Sequence, residues 1–276
     1  MGNILIIIGL AGLHRAGKSF FRNSQITQLY GYNIVDKKEL IIKLCINFYL
    51  SKNIDLEEII KKKIINSQLN LKNNQFLEVF NNIIWEYSNK WYEEQMHNNT
   101  YEVLFSLVKL ANEMYGPKIV LDAVHNNLEW SIISEYADKK GIIYFYTPKI
   151  IRESRPGVLD NDTVNKKNVK RIGYWFKDNS VPNLINSFSW CIDGTEDILK
   201  NNQSFALLVR CIENDIDLLS QKSELDNNYK IFDYKSVIIN DLFAEIKSCN
   251  QNNESLCLKL TKEKHKKQPC YGLKKD

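Results

Sequence analysis

One stretch near the start of the chain combines glycines, a lysine and a serine at a spacing that suits phosphate binding. Residues 12–19 read Gly-Leu-His-Arg-Ala-Gly-Lys-Ser and fit the pattern G-x-x-x-x-G-K-[ST] at every fixed position. Gly12 and Gly17 let the backbone curl so that successive N–H groups point into one concavity, which suits phosphate oxygens. Lys18 would then reach the β- and γ-phosphates of a nucleoside triphosphate, and the Ser19 hydroxyl would bind Mg²⁺. We call residues 12–19 the glycine loop.

The other residues of the glycine loop carry a weaker signal. His14 lies in the variable part of the pattern and is expected to be a solvent-facing filler, whereas Arg15 is a candidate for adding positive charge near the phosphates. A chance glycine turn between a strand and a helix is the alternative interpretation. The predicted nucleotide-binding residues around the loop are Gly12, Arg15, Ala16, Gly17, Lys18, Ser19 and Phe20.

The segments on both sides of the glycine loop have the patterns that this motif requires. Residues 4–8 form an apolar, β-branched run that predicts a buried parallel strand. After the loop, Phe20, Phe21, Ile26 and Leu29 give one apolar helical face. A strand, a glycine loop and a helix in this order favour a phosphate site over a chance turn.

Farther along the chain, short apolar runs alternate with helical patterns. Alternation of this kind predicts an α/β fold with a doubly wound parallel sheet, the P-loop NTPase fold, in which the glycine loop follows the first strand. Residues 51–115 have helical spacing without a strand signal, which predicts a long helical insertion. Further strands are predicted at residues 32–36, 118–122, 142–146 and 189–193.

Asp122 and His125 follow a predicted middle strand. The carboxyl ends of parallel strands face the ligand crevice, so Asp122 is a candidate for holding magnesium-bound water or orienting a phosphate acceptor. A helix cap at the end of the strand is the alternative role for Asp122. His125 lies three residues later, and an acceptor contact and a structural hydrogen bond are equally open for it.

Four features in a fixed order carry a resemblance to a known group of proteins. The order resembles the nucleotide-kinase branch of the P-loop proteins, in particular the dephospho-CoA kinase-like and adenylate kinase-like (nucleoside monophosphate kinase) group, and the similarity covers roughly residues 4–200. The four features are the glycine loop, the strand-end Asp122, the Arg-x-x-Arg pair of Arg152 and Arg155, and the loop of Asp193, Gly194 and Thr195.

The resemblance implies a domain organisation and a pair of cofactors. Residues 1–203 would form a kinase domain that uses ATP and Mg²⁺, with an acceptor or cap insertion at about 51–115 and a lid at about 152–180. Residues 204–276 would form a C-terminal extension that has no counterpart in the group. The reaction implied is phosphoryl transfer from ATP to a nucleotide or a similar small phosphorylatable metabolite.

The same resemblance implies roles for residues outside the glycine loop. Arg152 and Arg155 would reach the transferring phosphoryl group from the lid, with Arg171 as a further candidate, and Gly194 would touch the donor base. Asp36 would lie near the acceptor. Dephospho-CoA kinases have two aspartates flanking one residue at this point, whereas this chain has Asp36 alone, so the acceptor stays open.

The charge distribution supports a second interpretation. The net charge is only +4, but residues 259–275 carry seven lysines and one acid, which is typical of a solvated, mobile basic tail. Such a tail could hold a polyanion, so the alternative function is that of a nucleotide-dependent regulatory or nucleic-acid-associated protein.

Composition narrows the remaining classes. The six cysteines form no C-x-x-C pair, which favours reduced thiols over a zinc site. The first apolar run is too short and too rich in glycine to cross a membrane. We therefore expect a cytoplasmic protein whose partner is a small-molecule phosphate acceptor, with an oligomeric state that the sequence leaves open.

Overall fold

A computed structural model of the 276-residue chain describes residues 4–67, 72–157, 159–176, 184–217, 219–220, 229–249, 253–266 and 268–275. The chain divides into two compact units. One consists of Met1–Ile34 together with Pro117–Asp276, and the other of Val35–Gly116.

The described residues contain a seven-stranded sheet, twelve α-helices and a short 3-10 helix at Leu184–Ser187. The strands are β1 Ile6–Gly12, β2 Asn33–Asp36, β3 Lys118–Asp122, β4 Lys139–Tyr146, β5 Phe188–Asp193, β6 Tyr229–Asp233 and β7 Tyr271–Lys275. The helices are α1 Lys18–Asn23, α2 Ile26–Leu29, α3 Lys37–Leu50, α4 Leu56–Asn66, α5 Asn73–Asn98, α6 Thr100–Tyr115, α7 Asn127–Glu135, α8 Lys149–Ser154, α9 Asn161–Trp175, α10 Ile198–Asn214, α11 Lys235–Lys247 and α12 Glu254–Lys264.

The strand order in the sheet is β2-β3-β1-β4-β5-β7-β6. β1 pairs in parallel with β3 and β4, β4 with β5, and β5 with β7, whereas β6 pairs with β7 in the antiparallel direction. The expectation of an α/β fold built on a mainly parallel sheet is therefore confirmed. None of the helices that the structure describes is long and apolar enough to cross a membrane.

Strand β1 lies inside the sheet, between β3 and β4, and its composition explains why. All seven of its residues are buried, and Ile8 and Leu10 are fully enclosed. A continuous apolar run of this kind suits a parallel strand covered on both faces. In the register with β3, Leu10 lies opposite Asp122, so both strands end at the same edge of the sheet.

The unit of Val35–Gly116 is helical beyond the end of β2 and contains α3 to α6. Asp55 begins α4 by accepting a hydrogen bond from the Glu58 N–H at 2.9 Å, which is the usual role of an aspartate at a helix start. Ile60, Ile64 and Leu104 are among its buried residues. The predicted insertion began at residue 51, whereas this compact unit begins at Val35 and includes α3 as well.

The C-terminal residues 259–275 do not match the mobile basic tail that the sequence predicts. The described residues of the expected mobile basic tail form the end of α12 and strand β7, and β7 lies inside the sheet between β5 and β6. Leu260, Cys270 and Leu273 are buried among the lysines and anchor these elements. The prediction of a mobile tail is therefore wrong for these residues, because a few apolar side chains outweigh a lysine-rich composition.

Candidate active site

The glycine loop connects the end of β1 to α1, at the point where the strand order reverses. The connection after β1 leads to β2 on one side of the sheet, and the connection after the neighbouring strand β4 leads to β5 on the other side, which leaves a crevice at the carboxyl ends of β1 and β4. Asp122 ends β3 and Thr147 follows β4, which places both at this edge of the sheet.

The backbone of the glycine loop is curled. Gly12 and Gly17 have φ values of 144° and 102°, in the region that favours glycine, and Arg15 adopts a left-handed φ of 62°. Within the described residues, the N–H groups of Gly17, Lys18, Ser19 and Phe20 have no protein acceptor. The loop therefore offers four consecutive backbone donors to a ligand.

The ammonium group of Lys18 is held against the loop itself. Its Nζ donates to the carbonyl oxygens of Gly12 at 2.9 Å and Leu13 at 3.1 Å. Burial, followed by the positive charge of Arg171, lowers the pKa of Lys18 from its ordinary value of 10.5 to about 7, while the Asp122 charge opposes this shift. The surroundings of Lys18 are therefore deficient in negative charge.

Two arginines also donate to backbone carbonyl groups at the loop. Nη1 of Arg155 lies 2.7 Å from the Arg15 oxygen and its Nη2 lies 2.5 Å from the Gly194 oxygen. Nη1 of Arg171 lies 2.9 Å from the Gly12 oxygen. We call Lys18, Arg155 and Arg171 the loop cations, because all three reach the glycine loop and all the hydrogen bonds described for their side chains go to neutral carbonyl groups.

Gly194 contacts the backbone of the glycine loop. A Cβ atom at this position would lie 2.1 Å from the Ala16 oxygen and 2.5 Å from the Thr147 hydroxyl, so no larger residue fits. The same Thr147 hydroxyl donates to the Ala16 oxygen at 2.9 Å, which fixes this buried residue of the loop. The donor-base contact predicted for Gly194 stays a prediction, since its place beside the loop already requires glycine.

Asp122 lies close to the loop cations. Burial lowers the pKa of both Lys18 and Arg171, and the Asp122 charge opposes this shift in each, while one carboxylate oxygen of Asp122 lies 3.4 Å from Nη1 of Arg22. His125 follows in the half-buried segment after β3, where the Val124 N–H donates to the Leu10 oxygen at 2.9 Å. The structure thus brings Asp122 to the glycine loop, as the sequence predicts.

Three further residues predicted to bind nucleotide differ in their surroundings: Arg15, Ser19 and Phe20. The side chain of Arg15 turns toward the segment before α9, where it donates to Asn161 Oδ1 at 2.6 Å and to the Leu159 oxygen. Ser19 and Phe20 are exposed, with 60% of Phe20 accessible. The nucleotide-binding roles proposed for Arg15, Ser19 and Phe20 stay predictions.

Asp36 belongs to the other unit. There it accepts a hydrogen bond from the Lys38 N–H at 2.8 Å and begins α3. This is a helix-capping role, and the acceptor contact that the resemblance implies for Asp36 stays a prediction.

Arg152 requires a correction. Only 2% of this residue is exposed, and its guanidinium is bonded to Asp241 at 2.6 Å, to Glu245 and to the Thr147 carbonyl group. These contacts engage both terminal nitrogens, so the structure does not offer Arg152 to a ligand. We call Asp241 and Glu245, which lie on α11, the buried acid pair.

His14 is not the solvent-facing filler that the sequence suggests. The residue is half-buried, and its backbone N–H donates to Asn168 Oδ1 at 2.8 Å. Burial and then the charge of Arg171 lower the pKa of the imidazole to about 3, so the ring is neutral at ordinary pH.

Asn168 and the buried acid pair were missed at the sequence level. One signal was present, because Glu245 falls among Ile238, Leu242 and Ile246 on the buried side of α11. A carboxylate in such a position needs a buried partner.

A cavity of about 690 Å³ lies at the other end of the strands. Its lining includes Gly141, Phe188 and Tyr271, which lie at the start of β4, β5 and β7. The glycine loop follows the carboxyl end of β1, so this cavity is separate from the site described above.

Comparisons with known proteins add little. Neither the protein-family models nor the curated proteins contain a match to this chain. One solved structure, an unliganded sugar kinase from Janibacter sp. HTCC2649, aligns over 76% of this chain and 96% of its own, with 9% identity and a TM-score of 0.39. A likeness of this size carries no conclusion about function.

Proposed function

We propose that the chain is an ATP-dependent phosphotransferase that acts on a small molecule, a nucleotide or a similar phosphorylatable metabolite. The single observation that supports this most strongly is the glycine loop, where four backbone N–H groups have no acceptor in the part of the chain that the structure describes and three loop cations surround them. This combination fits the phosphates of a nucleoside triphosphate within a P-loop NTPase fold.

The bonding of the loop cations favours exchange with phosphate oxygens. Carbonyl oxygens are neutral acceptors, whereas phosphate oxygens are anionic, so a cation that exchanges a carbonyl group for a phosphate gains the attraction between opposite charges. A bound triphosphate would therefore draw Lys18, Arg155 and Arg171 away from their carbonyl groups, and it would raise the pKa of Lys18 again.

Phosphoryl transfer needs positioning and positive charge more than covalent help. Lys18 would neutralise charge on the β- and γ-phosphates, and Arg155, at the carboxyl end of α8, would do so on the migrating group. We assign Arg152 a structural role instead, because its charge is already balanced by the buried acid pair.

The residues at the loop fit Mg²⁺. Ser19 is exposed at the start of α1 and Asp122 supplies a carboxylate near Lys18, whereas no group of three or more His, Cys, Asp or Glu residues among the described ones could hold a metal alone. One or two protein oxygens are typical of Mg²⁺ that is held mainly by phosphates and water. When bound, the ion supplies further positive charge to the phosphates.

The acceptor is the open part of the proposal. Asp36 and His125 are the residues we propose for it, and a nucleotide is the class that the resemblance favours. The nucleic-acid alternative depended on a mobile basic tail, and the described part of that tail lies in α12 and β7. Phosphate transfer to a small molecule is therefore preferred.

The test is a panel of acceptors incubated with radiolabelled ATP and Mg²⁺, comprising nucleoside monophosphates, deoxynucleotides and dephospho-CoA. We expect label transfer to at least one acceptor by the wild type and by Lys109→Ala, an exposed lysine on α6 that is 3.8 Å from Glu113. Lys18→Ala should lower the transfer about 10²–10³-fold.

Tight oligonucleotide binding that weakens steeply with salt, together with no label transfer to any acceptor, would support the alternative and contradict the kinase proposal.

A further inference from the structure

A chain of buried hydrogen bonds connects the glycine loop to α11. Asn168, in the middle of α9, is 1% exposed and uses both ends of its amide group. Its Oδ1 accepts the His14 N–H at 2.8 Å, and its Nδ2 donates to Glu245 Oε1 at 3.0 Å. The two partners fix the orientation of the amide, because a backbone N–H can only donate and a carboxylate can only accept.

The α11 end of this chain is itself fixed. Glu245 is fully buried and pairs with Arg152, whose guanidinium also lies 2.6 Å from Asp241. The Lys149 N–H donates to Asp241 Oδ1 at 3.0 Å. Buried carboxylates bonded in this way cannot move without losing their compensating charge, so Glu245 is a rigid anchor for Asn168.

We propose that Asn168 is a positioning residue for the glycine loop, and that it holds the loop in its ligand-binding shape by fixing the His14 N–H. This inference rests on the proposed function, since it concerns how the same nucleotide site is held in its binding conformation before the ligand arrives. His14 lies between the two glycines at which the backbone has positive φ, the segment with the most conformational freedom in the loop. A loop that is already ordered loses less entropy when a triphosphate binds.

The partner of His14 also leaves the ligand side of the loop untouched. The N–H groups that have no acceptor among the described residues begin at Gly17, whereas Asn168 bonds to the loop at His14, before them. Asn168 therefore acts on nucleotide binding through the loop backbone, without a contact of its own to the ligand.

The experiment compares Asn168→Ala with Asn165→Ala. Asn165 lies on the same helix and donates to Glu153 at 3.1 Å, away from the loop, so it is a matched control. The two measurements are hydrogen-exchange protection of the His14 amide without nucleotide and the dissociation constant for MgATP. We expect Asn168→Ala to remove the His14 protection and to weaken MgATP binding about tenfold, whereas Asn165→Ala changes binding less than about twofold.

A double variant separates positioning from general packing. Asn168→Asp keeps an acceptor for His14 but sets a second carboxylate against Glu245, so it should weaken MgATP binding. Adding Glu245→Gln restores a donor toward residue 168 and an acceptor toward Arg152, and we expect it to recover most of the affinity. The double variant also keeps the test open if Asn168→Ala does not fold.

The outcomes divide cleanly. Unchanged His14 protection in Asn168→Ala, or a double variant no better than Asn168→Asp, would overturn the positioning role. Loss of His14 protection in a protein whose wild type binds no MgATP would support the contact and overturn the proposed function instead.

Discussion

Two clusters of basic residues in the same unit differ in what they are bonded to. The loop cations donate to neutral carbonyl groups around the glycine loop. Arg152 donates to the buried acid pair, and Lys149 lies 4.0 Å from Glu245. Arg152 and Arg155 are only three residues apart, at the end of α8, yet they belong to different clusters.

The difference decides what each cluster can do. A cation bonded to carbonyl groups keeps its net charge and can exchange these partners for a phosphate. A cation bonded to carboxylates has had its charge cancelled, and removing it leaves buried acids without compensation. We therefore expect the same residue type at neighbouring positions to serve ligand binding in one case and stability in the other.

Arg152→Met should have the largest effect, and on stability. Loss of one partner of a buried ion pair costs about 3–5 kcal/mol of unfolding free energy. Lys62→Met, which breaks an exposed pair with Glu58 at 2.7 Å, should cost far less, because solvent screens this pair. Denaturant unfolding of both variants measures the comparison. Equal, small losses would mean that the buried cluster is no more structural than a surface pair.

Lys18→Ala should have the next largest effect, and on turnover. Removing one preorganised donor at a site of developing charge typically lowers turnover about 10²–10³-fold. Stability should change little or rise, because the folded protein holds this ammonium at an unfavourable site. Steady-state kinetics with the acceptor identified by the panel and a thermal melt measure both parts. A large loss of stability would mean that Lys18, like Arg152, has a structural role.

Arg155→Ala tests whether Arg155, unlike Arg152, acts in catalysis. We expect turnover to fall about 10–100-fold and MgATP affinity to fall less, since the charge is needed most during transfer. Arg155→Lys should be intermediate, because lysine keeps the charge without the two-pronged contact to Arg15 and Gly194. Equal losses of turnover and affinity would assign Arg155 to ligand binding alone.

Arg171→Gln should have the smallest effect, a change in pH dependence. In the wild type the pKa of Lys18 is about 7, so above this pH MgATP binding must take up a proton and its affinity should fall by up to about tenfold per pH unit. Removing the Arg171 charge raises the Lys18 pKa and moves this fall to higher pH. Lys170→Gln, at the neighbouring exposed position, should leave the pH of the fall unchanged.

Titration calorimetry at pH 7, 8 and 9 compares these two variants with the wild type. The unliganded protein should show the opposite trend, with an unfolding free energy that rises between about pH 7 and 10, because the unfolded chain then binds more protons at Lys18. If the MgATP affinity of the wild type did not depend on pH, the claim that ligand binding must protonate the buried Lys18 would be wrong.

The sequence was informative where a local pattern determines the outcome. An apolar run followed by two glycines and a lysine predicted β1 and the loop, and a carboxylate at the end of another parallel strand predicted that Asp122 would lie beside it. Both follow from rules on strands whose ends meet at one edge of a sheet.

The sequence was uninformative where the outcome depends on a distant partner. Periodicity shows that a side chain is buried without showing against what, so the pairing of Arg152 with α11 could not be anticipated. No sequence pattern indicated a role for Asn168, because an asparagine on a polar helix has no distinctive spacing and its partners are known only from the structure. The strand β7 was not predicted because its segment is rich in lysine. Only a few apolar residues in it, Cys270 and Leu273 among them, are buried and fix it in the sheet.

The position of β7 has a consequence for the order of folding. Among the described strands, β6 joins the sheet through β7 alone, and the start of α11 is fixed by the Tyr234 hydroxyl, which donates to the Leu273 oxygen at 3.1 Å. The β5–β7 pairing joins segments far apart along the chain, and closing so long a loop is slow compared with forming helices. Because α11 carries the acids that hold Asn168, the glycine loop should take its final shape only after this late closure. In a refolding experiment, nucleotide binding should therefore recover after the helical signal.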